Sequence, residues 1–168
     1  MMHARWNSPA PLALALLGLC LVPAGARAQT EFRARVTQVF DGDTVAVWRD
    51  GAEVKIRLEG VDCPEKSQPF GEEAKDFTTR TVLHKTVLVR VATTDVYGRL
   101  VARVEYRGAD LSRALLREGL AWHFKRYNRE RELADLQEAA REAAVGLWSQ
   151  RRPQPPWEYR REQKGDGD

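Results

Sequence analysis

From Phe32 to Leu58 the apolar residues fall on alternate positions, and nothing else in the chain constrains its fold as tightly. Phe32, Ala34 and Val36 form one set, Val45 and Val47 a second, and Val54, Ile56 and Leu58 a third. A period of two turns one face of an extended segment toward a core and the other toward solvent. Asp41-Gly42 and Asp50-Gly51 separate the sets with residues that tight turns favour, so a meander of three strands is expected. Two more strands are expected over residues 86–91 and 100–106. Between them the polar turn from Asp95 to Gly98 carries Arg99 to the base of the last strand.

Helical spacing appears in three places. Ala74, Phe77, Thr78, Thr81 and Val82 repeat with a helical period, and Glu72 and Glu73 suit the positive end of that helix. Leu111, Ala114 and Leu115 mark a short second helix, capped by Asp110 and ended before Gly119. Leu133, Leu136, Ala140, Ala143 and Leu147 mark a third, with Asn128 as the expected cap and Gly146 near the end. The expected architecture is α+β: a five-stranded Greek-key barrel of the OB-fold type, with three α-helices on its outside and base.

Residues 1–28 have the build of a signal peptide, with Arg5, an apolar run from Leu12 to Val22, and the small-residue site Ala26-Arg27-Ala28. The run is shorter than the roughly 18 to 20 apolar residues of a membrane span, so no membrane association is expected once the signal is cleaved. Residues 29–150 then form one domain. Residues 151–168, rich in proline and charge, are expected to be a disordered tail. Without Arg5 and Arg27 the 27 basic residues fall to 25, against 24 acidic ones. Bulk charge therefore argues little for a polyanionic partner, and attraction has to come from clusters such as Lys55, Arg57 and Arg99, or Lys125, Arg126 and Arg129. Cys63 is the one cysteine outside the signal, which excludes an intramolecular disulfide.

Asp43, Asp62 and Glu65 lie at turns or strand ends, as do Arg57 and Arg99. Three acids and two guanidiniums are what phosphodiester cleavage requires. Carboxylates supply the hard oxygen ligands that calcium prefers, and an acid can deprotonate a water. Guanidiniums present planar forks to phosphate oxygens and hold their charge at any working pH. Pro64 limits how far the loop carrying Glu65 can wander. Arg57 lies between Ile56 and Leu58, so it faces away from both, toward the barrel mouth with Lys55 beside it.

The segment from about Arg35 to Ser149 resembles the thermonuclease family, typified by staphylococcal nuclease. The carriers are Asp41-Gly42-Asp43-Thr44, Arg57-Leu58 with Val61-Asp62-Cys63-Pro64-Glu65, Asp95 with Tyr97-Gly98-Arg99, Leu115 with Gly119-Leu120-Ala121, and Gly146-Leu147-Trp148-Ser149. The resemblance implies a calcium-dependent enzyme that hydrolyses DNA and RNA to 3′-phosphate and 5′-hydroxyl ends. It implies that Asp43, Asp62 and the main-chain carbonyl of Cys63 hold Ca2+, that Glu65 is the base, and that Arg57 and Arg99 clamp phosphate. Tyr97 and Tyr127 match substrate-binding tyrosines. The chain departs from the best-known member at Cys63, where a threonine is usual, which sets a thiol beside the expected metal. It also departs in a shorter loop from Lys66 to Phe70.

The expected protein is thus a secreted or periplasmic monomeric nuclease acting on single strands. The alternative is an inactive module of the same fold, holding single-stranded nucleic acid by charge and by stacking on Tyr97, Trp122 or Tyr127.

Overall fold

A computed structural model describes residues 30–165. The expected signal peptide therefore lies outside the described residues. The three alternating sets form β1 (Thr30–Val39), β2 (Thr44–Arg49) and β3 (Ala52–Leu58), joined by the two Asp-Gly turns. β5 (Thr86–Thr94) and β6 (Leu100–Tyr106) supply the other two barrel strands. The strands run in the order β3-β2-β1-β5-β6, and β3 closes the barrel by pairing in parallel with β6, Arg57 opposite Val101. β1 is long enough to serve two neighbours: its first half pairs with β5, and its second half pairs with β2, with a bulge between Val36 and Gln38 inside that pairing. A bulge bends a strand and sharpens its twist, which is what a small barrel needs at its corners.

Val36, Val45, Val47, Ile56, Leu58, Val87, Val89, Ala102 and Val104 are fully or almost fully buried in the barrel core. Helix α1 (Gly71–Val82) lays Ala74, Thr78 and Val82 against it. Helix α2 (Leu111–Arg117) adds Leu111, Leu115 and Leu116, and Asp110 caps it by accepting the backbone N–H of Arg113 at 2.8 Å. Short strands complete the frame: β4 (Val61–Asp62) pairs with β8 (Trp122–His123), and β7 (Ala109–Asp110) pairs with β6. Among the described residues no helix is long and apolar enough to cross a membrane.

The third helix differs from expectation in its limits. α3 runs from Arg131 to Glu142 with Glu130 at its N-cap, while Asn128, two residues upstream of the cap, accepts the backbone N–H of Glu130 at 2.8 Å. Its buried stripe is Leu133, Gln137 and Ala140, and Ala143 is exposed. Ala144 in the left-handed region (φ 49°) reverses the chain, so Leu147 belongs to a separate 3₁₀ turn, Gly146–Ser149. The Leu147 N–H then donates to Gly119 O at 2.8 Å, bringing together two motifs 28 positions apart in the chain.

The expected disordered tail is corrected over residues 156–165. Residues Pro156–Gly165 form a fourth helix, α4. Proline suits a first helical turn because its missing N–H would have no partner there. The helix does not depend on a core of its own: Trp157 stacks on Phe124 with centroids 5.5 Å apart and an interplanar angle of 9°, and meets Trp122 edge-on at 5.7 Å.

His123 sits beneath this face, buried, with its N–H donating to Gln137 Oε1 at 2.8 Å and its ring Nε2 2.9 Å from Asn128 O. Burial pushes its imidazole below the ordinary value of 6.5. The bond to Asn128 and the charge of Glu130 oppose that push, and Lys125 reinforces it. A depressed folded value means the neutral ring favours the native state at higher pH, a contribution lost as pH falls from about 6.5 through the folded value. Wild type should lose melting temperature between pH 7.5 and 5.5, and His123→Gln should show a shallower slope. Equal slopes would exclude His123 as the source.

Candidate active site

The turn between β1 and β2 places the first acid. Asp41 Oδ1 accepts the backbone N–H of Asp43 at 3.1 Å, which closes the turn. Thr78 of α1 donates its hydroxyl to Gly42 O at 2.6 Å and ties the turn to the helix. Gly42 is required by close approach, since a Cβ there would lie 2.7 Å from Cys63 Sγ and 2.8 Å from the Ala74 methyl. Asp43 is consequently held with its carboxylate indoors. Oδ2 accepts the Cys63 N–H at 2.6 Å, Oδ1 accepts the Thr44 hydroxyl at 3.2 Å, and Arg57 forms an ion pair with Oδ1.

Asp62 comes from β4 and is almost completely buried. Its Oδ1 accepts Arg57 Nη2 at 2.6 Å, so one guanidinium bridges both aspartates. Arg57 does leave the face of Ile56 and Leu58, as the alternation requires. Glu65 follows on a tight turn that Gln68 clamps: the Glu65 N–H donates to Gln68 Oε1 at 2.8 Å, and the Gln68 N–H donates back to Glu65 O at 2.8 Å. Gly71 has to be glycine for the same reason, because a Cβ there would stand 2.0 Å from Glu65 O. Glu65 itself is partly open to solvent, its side chain 38% exposed, which leaves room for a water beside its free oxygen.

The fifth member of this cluster is Arg160 of α4. Its Nη1 donates to Glu65 Oε1 at 2.6 Å and to Asp62 Oδ1 at 3.3 Å, and its Nη2 donates to Asp62 Oδ2 at 2.8 Å. Burial works against its charge, but the hydrogen bonds it donates to Asp62 and Glu65 outweigh it and push the guanidinium further up than an ordinary arginine. Three carboxylates and two guanidiniums leave the cluster with one net negative charge.

Arg57, Asp62 and Glu65 lie within a segment that matches a known family model, and Asp43 and Arg160 lie outside it. Residues 55–150 fit the model described as staphylococcal nuclease homologue. The chain belongs to the staphylococcal nuclease family. A protein of Escherichia coli described as an uncharacterised endonuclease is 38% identical over 131 residues, covering 77% of this chain and 86% of that protein. Protein ParB of Escherichia coli is 35% identical over 159 residues, 88% of this chain and 90% of its own. The staphylococcal-like nuclease CAN1 of Arabidopsis thaliana is 40% identical over 111 residues, 66% of this chain but 34% of its own length. The chain thus spans about a third of its plant relatives and most of the bacterial ones.

For a member of the nuclease family, the donor set suits a hard divalent cation, because only oxygen ligands face the cluster. Asp43, Asp62 and the Cys63 carbonyl are the groups that would hold it. The carboxylates are at present drawn onto two guanidiniums, and among the described residues no three His, Cys, Asp or Glu side chains converge on one metal-sized point. The Cys63 thiol, expected beside the metal, is buried, with its sulfur next to Gly42. Burial, against the opposing pull of Arg57, pushes the thiol well up from its ordinary range, so it is a poor nucleophile.

Arg99 is not in the cluster. It precedes β6, whose Leu100 pairs with Ile56, and so lies at the same barrel end, but its Nε donates to Asp95 Oδ2 at 2.8 Å. Asp95 also accepts the N–H groups of Tyr97 and Arg99 at 2.9 and 3.0 Å. Against the cost of burial, these bonds hold its carboxyl below the usual range. The rings of Tyr97 and Tyr127 are open to solvent, the residues 81% and 71% exposed. Trp122 is not such a ring: it is buried between Trp148, at 4.5 Å, and Trp157.

A groove of about 580 Å³, sharing no residue with the cluster, is lined by Phe124, Lys125, Arg126, Arg141, Trp157 and Arg161, among others. Arg129 extends it on one side, and no acidic residue lines either part. Sequence reasoning missed Arg160, left Trp157 in a disordered tail, and missed Gln68. The first two had a signal in the helical spacing of Trp157, Arg160, Arg161 and Lys164 behind Pro156. Gln68 had none, since a buried glutamine in a polar loop looks like any other loop residue.

Proposed function

We propose that this nuclease-family chain is an exported, calcium-dependent endonuclease that cleaves single-stranded DNA and RNA to 3′-phosphate and 5′-hydroxyl ends. The observation that carries the reading is the joint placement of Asp43 and Asp62 on Arg57, with Glu65 tied to Asp62 through Arg160; a separate acid-free groove of basic and aromatic residues runs along α4. The groove suits a polyanion with bases to stack, the combination that holds single strands. A bound calcium would supply positive charge at the phosphate oxygens. Glu65 takes a proton from a water as that water's oxygen bonds to phosphorus in line with the 5′ oxygen. The bond from phosphorus to that oxygen breaks, and the departing oxygen takes a proton from solvent. Arg57 donates to the non-bridging oxygens as their charge grows, and Arg99 reaches them by exchanging Asp95 for the phosphate. The leader expected over residues 1–28 supports export. Mass analysis of fragments from a single-stranded oligonucleotide tests the chemistry: every 5′-side fragment should end in a 3′-phosphate. Fragments ending in a 3′-hydroxyl would refute the assignment.

A further inference from the structure

Arg160 is tied to the acid cluster in a way that sets it apart from the other basic residues of the C-terminal segment. Both oxygens of Asp62 are engaged by guanidiniums: Oδ1 by Arg57 and Arg160, and Oδ2 by Arg160 at 2.8 Å. The same side chain takes Glu65 Oε1 at 2.6 Å, so it contacts one expected ligand and the expected base together. With Arg160 in place the three carboxylates and two guanidiniums sum to one negative charge. A divalent cation entering beside it would leave the cluster positive, whereas exchange for Arg160 would leave it neutral. Both cations also need the same oxygen lone pairs.

α4 and the residues just before it hold Arg160 there through contacts at the rim. Tyr159 Oη lies 2.8 Å from Ser67 Oγ, Gln68 Nε2 donates to Gln154 O at 3.2 Å, and Trp157 stacks on Phe124. Gln68 is the residue that clamps the Glu65 turn, so the helix and the base share an anchor. The Arg160 side chain is 41% exposed, with a path outward.

We infer that Arg160 is an internal occupant of the cation position, so that binding of a divalent cation and release of Arg160 from Asp62 and Glu65 are one linked equilibrium. α4 is then an autoinhibitory strap. It lowers the apparent affinity for the cation by the fraction of molecules in which Arg160 is docked. The inference rests on the proposed reading of Asp43 and Asp62 as cation ligands.

The test is calorimetric titration of the full chain with calcium chloride, in wild type, Arg160→Gln and Tyr159→Phe, with hydrogen exchange of residues 156–164 followed in parallel. Arg160→Gln should bind calcium about fivefold or more tightly than wild type. Tyr159→Phe keeps every charge and loosens the strap, so it should shift affinity in the same direction by less. Calcium should raise exchange in α4 of wild type, which a mere change of local charge would not do. Calcium binding with the same or weaker affinity in Arg160→Gln, or with α4 exchange unchanged in wild type, overturns the inference and leaves the nuclease reading standing. No calcium binding in any of the three chains overturns both.

Discussion

Glu65→Gln is expected to slow cleavage of a single-stranded substrate by about 10²- to 10⁴-fold, the usual contribution of a positioned general base. The change is nearly isosteric, and the backbone that positions residue 65 is fixed by Gln68 and by the close approach of Gly71, none of which involves the carboxylate. Glu65 Oε1 accepts a hydrogen bond from Arg160, a role that an amide oxygen can also fill. Stability and substrate affinity should therefore stay near wild type while turnover falls. A decrease of less than tenfold, with the melting temperature unchanged, would remove Glu65 from the chemistry.

Arg57→Met should produce the largest combined loss. Arg57 pairs with Asp43 and Asp62, whose side chains are 7% and 1% exposed. Removing the guanidinium leaves two buried carboxylates facing each other with Arg160 on only one of them. Breaking a buried ion pair from one side typically costs about 3 to 5 kcal/mol, because the remaining charge stays buried without compensation. Loss of a positioned donor to the developing phosphate charge should lower the rate by a further 10² or more. Denaturant unfolding and initial-rate measurements on the same preparation separate the two effects. A variant within about 1 kcal/mol of wild type would mean that solvent, and not Arg57, neutralises the aspartates.

The barrel was legible because its signal is local. Strict alternation from Phe32 to Leu58, broken by two Asp-Gly turns, leaves few ways to bury the apolar face, and the bulge in β1 supplies the bend that lets five strands close. The acids were legible for a related reason, since Asp43, Asp62 and Glu65 sit at turns or strand ends. What the sequence concealed depends on contacts far along the chain. Asn128 looks like a helix cap, and only the position of Glu130 shows that the helix begins later. Trp122 looks available for stacking until Trp148 and Trp157 cover it. α4 has too little apolar surface to order itself in isolation, and its docking depends on Phe124 and on charges 98 residues away at Asp62. Arg99 lies at the expected end of the barrel, but its pairing with Asp95 depends on a turn geometry that composition alone leaves open.

The central claim is that this cluster cleaves phosphodiesters with a divalent cation, and its most direct test is cleavage of a single-stranded oligonucleotide by the full chain in calcium and in excess chelator. Fragments that accumulate in calcium and vanish with the chelator are the expected result. A strand that is bound yet left intact in calcium would contradict the claim and identify a nucleic-acid-binding module of the same fold.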